Sequence, residues 1–204
     1  FSTAVADEIY LVSSDGGTPR RLTELPFDKS GISWSANGRV IFFSGDSEQN
    51  DESNTQLTQD VWAVRINDGA VATITTNPGS ETAPNPSPDG TRLVFLSNPE
   101  RGAEVDIMIS EIGSDGSLRS EPENLTSGWD LDPGIPEWTA DGTGILFTAG
   151  IDGNRQLFRV ATSGGPVTQV TSGDRQITSI SLSSRGDIMA YASTDAVSPT
   201  ELFL

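Results

Sequence analysis

The 204-residue sequence contains no cysteine and no histidine. The first absence excludes disulfides, thiolate metal sites and a cysteine nucleophile, and leaves the redox compartment open. The second removes the commonest general base. Neither a Ser-His-Asp nor a Cys-His arrangement can be assembled from these residues, nor can a histidine zinc site. Lysine is nearly absent as well: Lys29 stands alone among 12 Lys+Arg, against 29 Asp+Glu, for a net charge of −17. A surface of that sign repels phosphate backbones and anionic lipid, so neither nucleic acid nor membrane is expected as a partner. No apolar run approaches the ~20 residues of a spanning helix. The opening FSTAVADEIY has no basic start and no long apolar stretch, so no signal peptide is read there. The expectation is a soluble protein, with the cytoplasm favoured.

What the chain does have is glycine (21) and proline (12) with 34% apolar residues, a balance suited to many short strands joined by tight turns. Internal repeats are plain. ISWSANGRVIFFSG (32–45) returns as PNPSPDGTRLVFLS (84–97), as PEWTADGTGILFTA (136–149), and more weakly as SISLSSRGDIMAYAS (179–193). A second block follows each: DEIYLVS, DVWAVRI, VDIMISEI, RQLFRVA and TELFL. A third, ending in Thr23, Thr75, Thr126 and Thr171, closes the unit.

Within a unit, β-branched and aromatic runs follow Asn-Gly, Asp-Gly or Arg-Gly turns. Gly38, Gly90, Gly142 and Gly186 are expected to take the positive φ of these turns, and Asn37, Asp89 and Asp141 to be turn formers. Four strands per ~40–50 residues define a propeller blade, and such a sheet must stack on its neighbours to bury both faces. The fold class expected is all-β: a β-propeller of four-stranded antiparallel blades, seen as a segment of about four. Its division is a partial blade over 1–27, blades over 28–78, 79–128 and 129–173, and a partial blade over 174–204. The chain thus reads as beginning and stopping inside a repeat. Trp34, Trp138, Tyr10, Trp62 and Phe158 are expected to pack between blades.

The pattern DEIYLVSSDGGTPRRLT (7–23) followed by SWSANGRVIFF (33–43) resembles TolB-type propeller repeats. These occur in the TolB scaffold protein and in the N-terminal propellers of prolyl-oligopeptidase-family serine peptidases. The insertion GDSEQNDESNTQLTQDVWAV (45–64), the segment LTSGWDLDPGIPEWTADGTGILFTAG (125–150) and the closing SPTELFL (198–204) are similar to the acylaminoacyl-peptidase and dipeptidyl-peptidase branch. That resemblance implies a non-catalytic propeller gating access to a C-terminal α/β-hydrolase domain of the same protein, with peptides as substrates. No G-x-S-x-G elbow occurs in the chain, so no catalytic residue is carried over and the chain alone is not expected to be an enzyme. The alternative is a TolB-like scaffold for protein partners.

Three groups of residues are candidates for binding. Trp129, Asp130 and Asp132 lie on a loop entering a blade; the two carboxylates would either meet a peptide's ammonium group in the central cavity or cap a turn beside Pro133. Asp46, Glu48, Asn50 and Asp51 supply oxygens of the kind calcium takes, yet lack the glycine and distal glutamate of an EF-hand loop, so a solvated insertion is the expectation. Arg155, Arg159 and Arg175 are of a type that binds carboxylates, with blade-surface salt bridges their ordinary role. No metal and no cofactor is expected. A carbohydrate-cleaving site would need paired acids ~5–9.5 Å apart, and no pair stands out.

Overall fold

The computed structural model describes residues 6–46, 58–100, 102–183, 185–195 and 197–204, and every helix or strand among them is a strand. β1 (Tyr10–Leu11) and β2 (Arg20–Arg21) form a two-stranded sheet. β3 (Ser30–Trp34), β4 (Val40–Asp46), β5 (Gln59–Arg65) and β6 (Val71–Thr73) make one four-stranded antiparallel sheet in chain order. β7 (Glu81–Pro86), β8 (Arg92–Ser97), β9 (Asp106–Glu111) and β10 (Glu123–Asn124) make the next. β11 (Glu137–Trp138), β12 (Gly144–Ile151), β13 (Asn154–Ala161) and β14 (Thr168–Gln169) repeat the pattern, and β15 (Gln176–Leu182), β16 (Met189–Thr194) and β17 (Glu201–Phe203) form three strands of another. A single parallel bridge, Arg155 to Gln176, links these last two units. This is the expected all-β propeller segment.

Each first hairpin is closed by one side-chain device. The hydroxyls of Ser35, Ser87, Thr139 and Ser183 accept the backbone N–H five residues on, at 2.9, 2.9, 2.9 and 3.2 Å. Asn37, Asp89 and Asp141 accept the N–H two residues on at 2.9–3.0 Å. The glycines between take φ of 67° to 73°, where a Cβ would be strained. These bonds hold the carboxyls of Asp89 and Asp141 down at about 2, the hydroxyls of Ser87 and Thr139 contributing most. Turn formation accounts for all three Asx residues.

The closing threonines form a second device. The N–H groups of Ile9, Val61, Ile107 and Leu157 donate to the hydroxyls of Thr23, Thr75, Thr126 and Thr171 at 2.9–3.0 Å. The hydroxyls of Thr23, Thr126 and Thr171 in turn donate hydrogen bonds to Glu8, Asp106 and Gln156. The fourth strands are short, and this side-chain bridge supplements their few ladder bonds.

Alternation along the strands sends successive residues to opposite neighbours. Val40 and Phe42 of β4 pack with Leu93 and Phe95 of β8, whereas Ile41 and Phe43 pack back onto Ile9 and Leu22. Val94 faces Ile145, Phe147 and Phe158, and Leu146 and Leu157 face Ile177. Trp62, Trp138 and Phe158 are buried between blades as expected. Trp34 and Tyr10 are not: they are 53% and 56% exposed. Trp34 lies opposite Ile41, on the face turned toward β1 and β2, and Tyr10 alternates with Ile9 and Leu11, which take the face toward β4. Among the described residues no further blade covers those faces.

Candidate functional site

At the first two blade junctions, side-chain hydrogen bonds tie the first strand of one blade to the segment that opens the next. The Ser33 hydroxyl donates to the Pro84 carbonyl at 2.6 Å, and the Asn85 amide donates to the Pro136 carbonyl at 3.0 Å. Trp138 Nε1 returns a bond to the Asn85 carbonyl at 2.8 Å, and the Arg92 guanidinium lies 5.1 Å from the Trp138 ring centroid. Glu137 occupies the next place in this series, five residues before its turn glycine, as Ser33 and Asn85 are before theirs. Among the described residues no hydrogen bond joins β11 to β15.

A groove lies there instead. One cleft of about 220 Å³ is lined by Ile135, Glu137, Thr148, Arg155 and Thr178–Ile180. A second, of about 350 Å³, continues past Glu137 along Trp138, Ala140 and Ile180–Ser183. Glu137 is half-buried and its carboxyl is pushed up by that burial, which the bond from Asn85 only partly opposes. Arg155 donates from Nε to the Thr148 hydroxyl at 3.0 Å, and no carboxylate of the described residues pairs with it.

A bulge shapes the groove's rim. Pro133 bridges Ala149 and Glu137 pairs with Leu146, so four residues on this side span three on β12. The extra residue turns Ile135 outward to 67% exposure. Gly134 is pressed against the Arg155 guanidinium: an added Cβ would lie 2.9 Å from Nη2 and 2.9 Å from the Thr148 hydroxyl.

The sequence candidates fall around this groove rather than in it. Trp129 packs edge-on against Phe147 and Phe158, with centroids 5.3 and 5.1 Å away. Asp130 and Asp132 are exposed on the loop that leads through Pro133 into the rim. Arg155 lines the groove, the Arg159 guanidinium donates to Thr143 at 3.4 Å, and among the described residues Arg155, Arg159 and Arg175 form none of the expected salt bridges. On β13, Arg155 lies against Thr148 and Gly134 and Arg159 against Thr143 and Gly144, while Arg175 precedes β15 beside Gly173. Glu48, Asn50 and Asp51 of the candidate calcium loop lie outside the described residues. Asp46 ends β4, its carboxyl raised by burial and by the neighbouring Asp28. Among the described residues no group of three or more acids is placed to hold a metal ion. Glu137 carried no signal in the sequence beyond its place in the repeat, where hydroxyl and amide stand in the other blades.

Comparison with known proteins agrees with the architecture. Dipeptidyl-peptidase 5 of Porphyromonas gingivalis is 23% identical over 173 residues, which cover 84% of this chain and 25% of that protein. The crystal structure of TolB from Acinetobacter baumannii superposes with a TM-score of 0.70 at 19% identity, covering 95% of this chain and 44% of that one. A puromycin-hydrolyzing peptidase of Mycobacterium tuberculosis superposes with a TM-score of 0.75 at 13% identity, covering 96% and 33%. The chain thus spans less than half the length of each of these proteins. No helix among the described residues is long and apolar enough to cross a membrane. Residues 53–200 match the TolB beta propeller domain, and the chain belongs to that family.

Proposed function

We propose that the chain is the non-catalytic propeller portion of a serine peptidase of the prolyl-oligopeptidase family, restricting access to a hydrolase domain carried elsewhere in the same protein. The observation that carries this reading is the similarity of 84% of the chain to one quarter of a dipeptidyl-peptidase. The remaining three quarters leave room for the catalytic machinery that a chain without histidine cannot itself assemble. Short peptides are the substrates this reading implies, and the exposed Asp130 and Asp132 are suited to their ammonium groups, with Trp129 anchoring the loop through its ring contacts.

The test uses the natural polypeptide that contains this chain. It should label with a fluorophosphonate serine probe and release chromophore from dipeptidyl anilides, whereas residues 1–204 alone should do neither. In that protein, Asp130→Asn with Asp132→Asn should raise KM and leave kcat nearly unchanged. Absence of both labelling and hydrolysis would contradict the peptidase reading. It would favour the second one, a TolB-like scaffold for protein partners, to which the superposition with TolB lends support.

A further inference from the structure

The groove between β11 and β15 departs from the rule that governs the two junctions before it. Ser33 and Asn85 each point a donor at the next first strand, and each finds a carbonyl there. Counting back from the turn residues Ser87, Thr139 and Ser183, Pro84 and Pro136 correspond to Ile180. Glu137 therefore sets a carboxylate, one oxygen of which already accepts from Asn85 at 3.3 Å, at the place where the other junctions hold a donor. Two acceptors facing each other leave a gap that a cationic donor would fill.

The other end of the same cleft has the opposite character. Arg155 stands unpaired among the described residues, steadied from Nε by Thr148 and confined by Gly134, with its remaining N–H donors free for a planar anion. Thr148 lies two residues from Leu146, the partner of Glu137, so the guanidinium sits roughly 7 Å along β12 from the level of Glu137. Two extended residues span about that length, at roughly 3.3–3.6 Å each. The cleft of about 220 Å³ is smaller than the ~300–1,000 Å³ of drug-sized pockets. Ile135 and Ile180 supply apolar walls between the charged ends.

From this geometry we propose that the groove binds an unblocked dipeptide, its ammonium at Glu137 and its carboxylate at Arg155. The site belongs to the propeller itself and does not depend on the peptidase reading. In an intact peptidase it would hold a short peptide on the propeller. In a scaffold it would serve as a ligand site of its own.

Calorimetric titration of the 204-residue chain with Ala-Ala tests the proposal, with N-acetyl-Ala-Ala, Ala-Ala-amide and alanine as comparisons. Ala-Ala should bind. Blocking either terminus should weaken binding by about 10-fold or more, the worth of one charge-assisted contact, and alanine should bind more weakly than the dipeptide. Glu137→Gln should abolish the discrimination against the N-acetyl form alone, and Arg155→Met the discrimination against the amide alone. Because each variant is read by which blocked ligand it ceases to distinguish, a general loss of folding would not mimic the result; unchanged thermal unfolding of both variants checks this directly. No binding of Ala-Ala, equal binding of the blocked forms to the wild-type chain, or alanine binding as tightly as Ala-Ala would each overturn it.

Discussion

Replacing Thr126 with valine isolates the side-chain bridge that closes the blade. The hydroxyl accepts from Ile107 N–H at 3.0 Å and donates to Asp106 at 2.7 Å, and both Thr126 and Ile107 are buried. Valine keeps the shape and removes both bonds. Leaving a buried amide without an acceptor costs about 1–3 kcal/mol, and losing a bond to a charged acceptor adds about 1 kcal/mol. Asp106 keeps its bond from Asn124 at 2.7 Å, which limits the second contribution. The expected loss is about 2–3 kcal/mol, a sizeable share of the ~5–15 kcal/mol that stabilises an ordinary domain. Urea unfolding followed by tryptophan fluorescence would show it as a midpoint lower by about 1 M for an m-value of ~2–3 kcal/mol/M. Thr126→Ser should recover most of the loss. A change below ~0.5 kcal/mol for the valine variant would refute the reasoning, because a buried donor would then have found another acceptor at no cost.

Further outcomes follow from the same geometry. Trp138→Phe removes the bond to the Asn85 carbonyl while keeping a ring beneath Arg92, and should cost about 1–2 kcal/mol in thermal or urea unfolding. Gly134→Ala should displace the Arg155 guanidinium and weaken Ala-Ala binding in the groove more than it lowers stability, read by paired titration and melting. Asp89 and Asp141 have folded values of about 2 against an ordinary 3.8, so their contribution is complete above 3.8 and is lost as pH falls toward 2. The Asp89→Asn, Asp141→Asn double variant should therefore show a shallower fall in melting temperature over that interval, with the fold retained because Asn37 fills the same place in another turn.

The blade pattern was legible because its determinants are local. The turn glycines, the Asx residues beside them and the closing threonines act within one hairpin or one strand pair, and each recurs at the repeat period. Trp34 and Tyr10 escape the expected burial because packing between blades depends on which neighbour each strand face meets, a property of the arrangement rather than of the residue. Trp129 and the two aspartates are neighbours in the sequence, yet Trp129 fills a hydrophobic junction while the aspartates stay in solvent. The groove was hidden for a related reason. Glu137 and Arg155 lie on strands separated by β12 in the sheet, and they border an opening because, among the described residues, no hydrogen bond joins β11 to β15. In the sequence, Glu137 reads as one acid among 29.

The gating role is tested most directly by peptide length. The natural protein containing this chain, and its hydrolase portion prepared without the propeller, would be compared on peptides of increasing length with a common terminus, products being followed by mass spectrometry. The account predicts that the intact protein hydrolyses short peptides and fails beyond a sharp length limit, and that removing the propeller abolishes the limit while short-peptide cleavage persists. An intact protein that cleaves long and short peptides alike would contradict it.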